Sequence, residues 1–251
     1  LLLHVGGGLD LPHLVFAQPV KVRVGEESGS GVFHLVTQPV ERADTTAEEC
    51  ASWMLALTSR WALRNAAENG GRRRSLTRIN GHSSLFHAVY DDSFIGAMPR
   101  EVVQTQIWKW NGPSALDVVA VSIEHADFPR SDKYARALST TLYALQHQSG
   151  SGGRPQPRVA MLREIDRGGA LPMQVARRVG NESAFASFEY CSTMRQTFDK
   201  SANIDKTNRG VIVEMIEKHA TAYSDEENKI IDEGLAHFDN FKNKADTKTV
   251  Q

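Results

Sequence analysis

The stretch from Met98 to Pro129 constrains the fold more than any other. Two apolar-rich segments flank Asn111-Gly112-Pro113-Ser114, and an Asn-Gly pair so placed is among the strongest short-range hairpin signals. Alternation along the first segment predicts one face with Val103, Thr105 and Ile107, and another with Val102, Gln104, Gln106, Trp108 and Trp110. The second segment, Leu116 to Glu124, is valine-rich and nearly continuous in apolar residues, as suits a strand with little water on either side. A face carrying two tryptophans and two amides suits a wall that meets something partly polar. Ala120 is a small inward position on that wall.

The remaining segments supply what surrounds it. Val20 to Val24 and Val32 to Val40 read as strands separated by a Gly- and Ser-rich turn, Gly25 to Gly31. Overlapping capping boxes, Thr45-x-x-Glu48 and Thr46-x-x-Glu49, open one helix, with Trp53, Leu57, Trp61 and Arg64 at helical spacing. Gly70-Gly71 is its predicted end. Past Arg72-Arg73-Arg74, read as a solvated charge run, strands are predicted at Ser84 to Tyr90, Tyr134 to Gln146 and Arg158 to Asp166. Gln148 to Pro155 reads as a surface loop, and Gly168-Gly169 closes the strand region. A long amphipathic helix follows, with Pro172 in its first turn and Leu171, Val175, Val179, Phe185, Phe188, Cys191 and Phe198 along its apolar side; Gly180-Asn181 weakens it midway. The order predicts an α+β fold, a curved antiparallel sheet laid around one long C-terminal helix. Space between helix and sheet becomes an internal cavity where side chains are too small or too few to fill it.

Three pieces of the chain resemble START-type (StAR-related) lipid-transfer domains, helix-grip proteins. They are Pro99-Arg100-Glu101-Val102-Val103; Ser122-Ile123-Glu124-His125-Ala126-Asp127-Phe128-Pro129 followed by Arg136; and Ile165-Asp166-Arg167-Gly168-Gly169-Ala170-Leu171-Pro172. The likeness runs over roughly Val20 to Asp199. It implies a single lipid or sterol-like ligand held between the sheet and the last helix, for lipid sensing or transfer, with transient membrane contact. It also implies that the loop Ala126 to Tyr134 gates the cavity together with that helix. Some sterol-binding members place an acid and an arginine inside the cavity; the matching positions here, counted from Arg100, are His87 and Gln106. That departure removes a fixed ion pair and implies hydrogen bonding to a headgroup or hydroxyl instead. The expected ligand-binding residues are therefore His87, Gln104, Gln106, Trp108, Trp110, Ala120, Glu124, Arg136, Val175, Phe185 and Phe188.

The domain plan reads as residues 1–15 a linker, 16–199 the lipid-binding domain and 200–251 a helical C-terminal extension. In that extension Ile212, Met215, Ile216, His219 and Tyr223 form one stripe, and a second helix starts at the box Ser224-x-x-Glu227 and carries Ile231, Leu235 and Phe238. It resembles the connecting segment after START-like units in some multidomain proteins of single-celled eukaryotes. The chain starts LLLHVGGGL without Met or a signal-peptide pattern and reads as a piece of a longer protein. Gly6-Gly7-Gly8 lacks the Lys-Ser/Thr of a phosphate loop and reads as flexible chain.

Charge and chemistry narrow the function. With 29 basic and 30 acidic residues, net charge −1, no global field draws the chain to nucleic acid. Cys50 and Cys191 read as small buried hydrophobes in a reducing, cytoplasmic setting. Glu124, His125, Asp127, Glu164 and Asp166 invite an acid–base reading, but His-Glu-x-x-His, Cys-x-x-Cys and Gly-x-Ser-x-Gly motifs are absent, and no metal or cofactor site is predicted. Asp127 and Asp166 read instead as residues that fix turns. Trp108 and Trp110 are open to two readings, ligand contact and core packing. Beside non-catalytic lipid binding stand two alternatives: a scaffold module with a filled cavity, and a cyclase-like enzyme.

Overall fold

The Asn-Gly turn sets up the sheet as its sequence requires. In the computed structural model, which describes residues 23–26, 32–41, 46–68, 70–91, 98–147, 157–166, 168, 210–218 and 222–247, β5 (Arg100–Trp110) and β6 (Ala115–Ser122) pair antiparallel across residues 111–114. Gly112 takes φ 78°, a value that L side chains resist, and the Asn111 N–H donates to Ala115 O at 2.8 Å. Burial pushes the Asp117 carboxyl up, against the Asn111 amide hydrogen bond and the Lys109 charge that pull it down.

Around the hairpin lie β1 (Arg23–Glu26), β2 (Val32–Glu41), β3 (Gly71–Arg78), β4 (Ser83–Tyr90), β7 (Ala135–Arg136), β8 (Leu138–Gln146) and β9 (Arg158–Asp166). The described strands make one sheet in the order β1-β2-β9-β8-β6-β5-β4-β3, antiparallel throughout, with β7 added in parallel beside β5. The helices are α1 (Ala47–Leu55), α2 (Arg60–Glu68), α3 (residues 210–217) and α4 (Asp225–Thr247). None among the described residues is long and apolar enough to cross a membrane. The fold is α+β, as its sequence predicts.

Register assigns two faces. Across the hairpin Gln104 pairs Ser122, Gln106 pairs Ala120, Trp108 pairs Val118 and Trp110 pairs Leu116, so these side chains share one face. Helix α1 packs there: Cys50, Trp53 and Met54 form a core with Trp108, Leu116, Val118 and Leu145. Two residues of α3, Ile212 and Ile216, complete it. Helix α4 packs on the other face, with Ile230 and Leu235 against Val119 and Leu142. Ile212, Ile216 and Leu235 of the C-terminal stripes are thus spent inside this chain.

Several local expectations need correction. The single helix predicted from Thr45 to Gly70 is two. Thr46 and Glu49 do form the capping box, at 3.1 and 2.9 Å. The chain leaves the helix at Ala56, and Ser59 Oγ accepts the Ala62 N–H at 3.2 Å to start α2, a side-chain bond that competes with an unbroken helix. The Arg72-Arg73-Arg74 run lies within β3, a strand at the sheet's edge, where Arg72 and Arg73 are exposed as a solvated run is, and where charge discourages pairing with other chains. Arg74 Nη1 donates to Leu57 O at 3.2 Å and Nη2 to Tyr90 Oη at 3.0 Å, with the guanidinium over Phe86. Gly25 and Glu26 belong to β1 rather than to the turn, and the strand predicted from Tyr134 divides into β7 and β8. Val20, Gly6 to Gly8, the Gln148 to Pro155 loop and the helix predicted after Leu171, with Val175, Phe185, Phe188 and Cys191, lie outside the described residues.

Candidate ligand-binding site

The face shared with α1 changes character along β5. At its hairpin end Trp108 is buried in the α1 core, and Trp110 donates its Nε1–H to Ile216 O at 3.1 Å while its ring stacks on His147. Core packing accounts for both tryptophans. Toward Arg100 the same face turns polar. Gln104 Nε2 donates to Ser139 Oγ, and the Ser139 N–H donates to Ser122 Oγ at 2.8 Å. Gln106 is 5% exposed, yet its Oε1 has no hydrogen-bond partner among the described residues. Beside it on β6 is Ala120, whose β8 partner is Thr141, and Thr141 in turn pairs Arg163. The buried Nε of Arg163 is likewise without a partner among the described residues. Small and amide side chains with unspent hydrogen-bonding capacity distinguish this half from the dry core next to it.

His87, Glu124 and Arg136 are elsewhere. His87 pairs Val103, which puts it on the α4 face, opposite Gln106; the two cannot bind one headgroup from one side of the sheet. There His87 Nε2 meets Glu101 Oε1 at 3.0 Å, and Arg136 Nη2 donates to Glu101 Oε2 at 2.9 Å. All three side chains are buried. The same Arg136 Nη2 donates to Phe128 O at 2.7 Å, and the Phe128 ring stacks on His87 with centroids 4.1 Å apart. This cluster holds the loop between β6 and β7 against the sheet. Glu124 is exposed, and its hydrogen bond from Arg130 holds its carboxyl below the usual range. Asp166 fixes a turn, accepting the Gly168 N–H at 2.9 Å. Gly168, at φ 64°, lies so close to Arg136 O that a Cβ would come within 2.3 Å of it. Among the described residues no cluster of three or more His, Cys, Asp or Glu is arranged to hold a metal.

Sequence reasoning missed Glu101, Phe128, Ser139, Thr141 and Arg163. The pairing of Glu101 with His87 and Arg136 joins three strands, and nothing local announces it. Ser139 and Thr141 carry only the alternation of β8.

An antiparallel sheet with helices on both faces, a polar patch beside a dry core and a loop anchored at one end define a helix-grip α+β domain. The family model for the START domain matches residues 76–203, half of the chain, and the chain belongs to that family. Its fold is similar to that of human STARD10, with TM-score 0.54 and 16% identity, covering 74% of this chain and 76% of that one. It is also similar to the STAR-related lipid transfer protein from Xanthomonas axonopodis, with TM-score 0.53 and 15% identity, covering 72% of this chain and 96% of that one. Among curated protein sequences none matches the chain.

Proposed function

We propose that this chain binds one lipid or sterol-like molecule against the Gln104–Gln106 half of the α1 face, without catalysis, for lipid sensing or transfer. START domains generally bind and transfer lipids or sterols. The observation that carries the reading here is Gln106, a buried amide whose oxygen has no donor among the described residues, beside the small side chain of Ala120. A ligand hydroxyl or amide N–H supplies that donor, and leaving the oxygen unpaired costs roughly 1–3 kcal/mol. Affinity comes mainly from apolar ligand surface leaving water, at roughly 25 cal/mol per Å² before ordering costs. Val175, Phe185 and Phe188 remain ligand contacts in this proposal. The setting is cytoplasmic, with transient membrane contact during exchange.

A catalytic reading draws little from the acid–base candidate Glu124, because a carboxyl held low by Arg130 is a weak base. A scaffold reading needs an apolar stripe free for a partner, but Ile212, Ile216 and Ile231 are buried within this chain. Removing residues 200–251 therefore damages the core, and is no clean separation of the two functions.

The test is native mass spectrometry of the purified chain, then organic extraction and a lipid panel, on wild type and Ala120→Trp. The expected result is a stoichiometric lipid adduct in wild type and its loss in Ala120→Trp, with an unchanged circular dichroism spectrum. Normal uptake by Ala120→Trp, or no uptake of any lipid by wild type, overturns the proposal; the second outcome favours the scaffold.

A further inference from the structure

The carboxylate of Glu227 serves two structures at once. It closes the box that caps α4: Glu227 N–H donates to Ser224 Oγ at 3.2 Å, and Glu227 Oε2 accepts the Ser224 N–H at 2.9 Å. The same Oε2 accepts from His82 Nε2 at 2.9 Å, and Oε1 accepts from Asn80 Nδ2 at 2.9 Å. Asn80 and His82 belong to the turn between β3 and β4, so the helix cap is also a long-range clamp. The His82 and Glu227 side chains are only 8% and 13% exposed.

The surrounding contacts continue around the end of the hairpin. Before the clamp, Ile216 O of α3 accepts the Trp110 N–H on the α1 face. At the clamp, Tyr223 Oη donates to Trp108 O at 3.1 Å and its ring lies on His82 at 4.2 Å. One turn further, Asn228 Oδ1 accepts from Lys109 Nζ at 3.1 Å. Beyond it Gly234 lies against the α4 face, where a Cβ would sit 3.0 Å from Val119 Cγ1. The described residues of this segment therefore contact one face of the sheet, then the hairpin end of its strands, then the other face.

We propose that residues 210–218 and 222–235 form a strap around the end of the β5–β6 hairpin, and that α4 is helical only while docked, because one carboxylate both caps it and binds the sheet. The folded unit then extends past the family-matched residues 76–203 to about Leu235. A helix without tertiary packing is marginal in water, and an undocked α4 keeps only its local box. The inference stands apart from the ligand reading, since its test contains no ligand.

The experiment is hydrogen exchange on the full chain, comparing wild type, Glu227→Gln and Ser224→Ala. Gln retains a capping-box partner but presents an amide to two donors. Exchange at residues 80–84 and 225–235 is expected to accelerate together, by about tenfold or more, in both variants. Asn80→Ala removes one clamp bond without touching the cap, and keeps the test alive if Glu227→Gln fails to fold; the same joint acceleration is expected from it. Faster exchange at 225–235 with 80–84 unchanged means a cap alone and overturns the proposal. So does no change at either segment.

Discussion

One face of β5 is used in two different ways along its length. At the hairpin end Trp108, Leu116 and Val118 lie in a dry core under α1, completed by Ile212 and Ile216. At the Arg100 end Gln104, Gln106 and Ala120 are as well buried, yet an amide oxygen is left without a partner among the described residues. Buried apolar surface stabilises a fold, whereas a buried unpaired acceptor costs free energy until a donor reaches it. The first end serves stability, and the second keeps hydrogen-bonding capacity that the described residues do not use.

Variants can break that contrast. Trp108→Ala should cost about 3–5 kcal/mol in urea unfolding, as large-to-small core changes do. Glu101→Ala should also cost about 3–5 kcal/mol, because it leaves the buried Arg136 guanidinium with only the exposed Glu124 carboxylate, 3.8 Å away, as counter-charge. Loss of under 1 kcal/mol in either would show that the core is not where the packing places it. Acid sharpens the comparison at the strap. Burial pushes the Glu227 carboxyl up, but hydrogen bonds from His82, Asn80 and the Ser224 N–H outweigh it and hold the group down to about 2. A depressed folded value means stability present above the ordinary 4.5 and lost as pH falls toward 2. Discounted for solvent screening, that loss should be on the order of 1 kcal/mol, and Glu227→Gln should flatten it in a pH series of melts. Gln106→Leu should leave stability within about 1 kcal/mol of wild type while weakening a hydroxyl-bearing lipid about tenfold by titration. Smallest of all, Arg64→Ala on the exposed α2 surface should shift stability by about 0.5 kcal/mol or less, its pair with Glu68 being solvated.

What was legible in the sequence was local. The Asn-Gly turn, the Thr46 and Ser224 boxes and the Arg158–Asp166 strand each depend on residues within a few positions, and each stands in the structure. Alternation alone placed Gln104, Gln106, Trp108 and Trp110 on one face. The break between α1 and α2 was harder, since Ser59 looks like any polar helix residue until its hydroxyl is seen on the Ala62 N–H. The edge strand β3 was hidden by its charge, because three arginines argue for solvent and only Tyr90, Phe86 and the carbonyls of Leu57 and Ala62 explain Arg74.

The site was legible by half. Counting from Arg100 linked His87 to Gln106, but counting along a chain carries no register. In an antiparallel pair the partner's parity decides the face, and His87 opposite Val103 falls in with Glu101, away from the amides. The sequence by itself determined the class of fold, the hairpin and the helix caps, because propensity and turn chemistry act over a few residues. Only the tertiary structure decided that the tryptophans are core, that His87, Glu101 and Arg136 form one buried cluster, and that Glu227 reaches the β3–β4 turn. Those contacts join residues far apart in the chain, and the sum of pairings across the sheet, not any local pattern, brings them together.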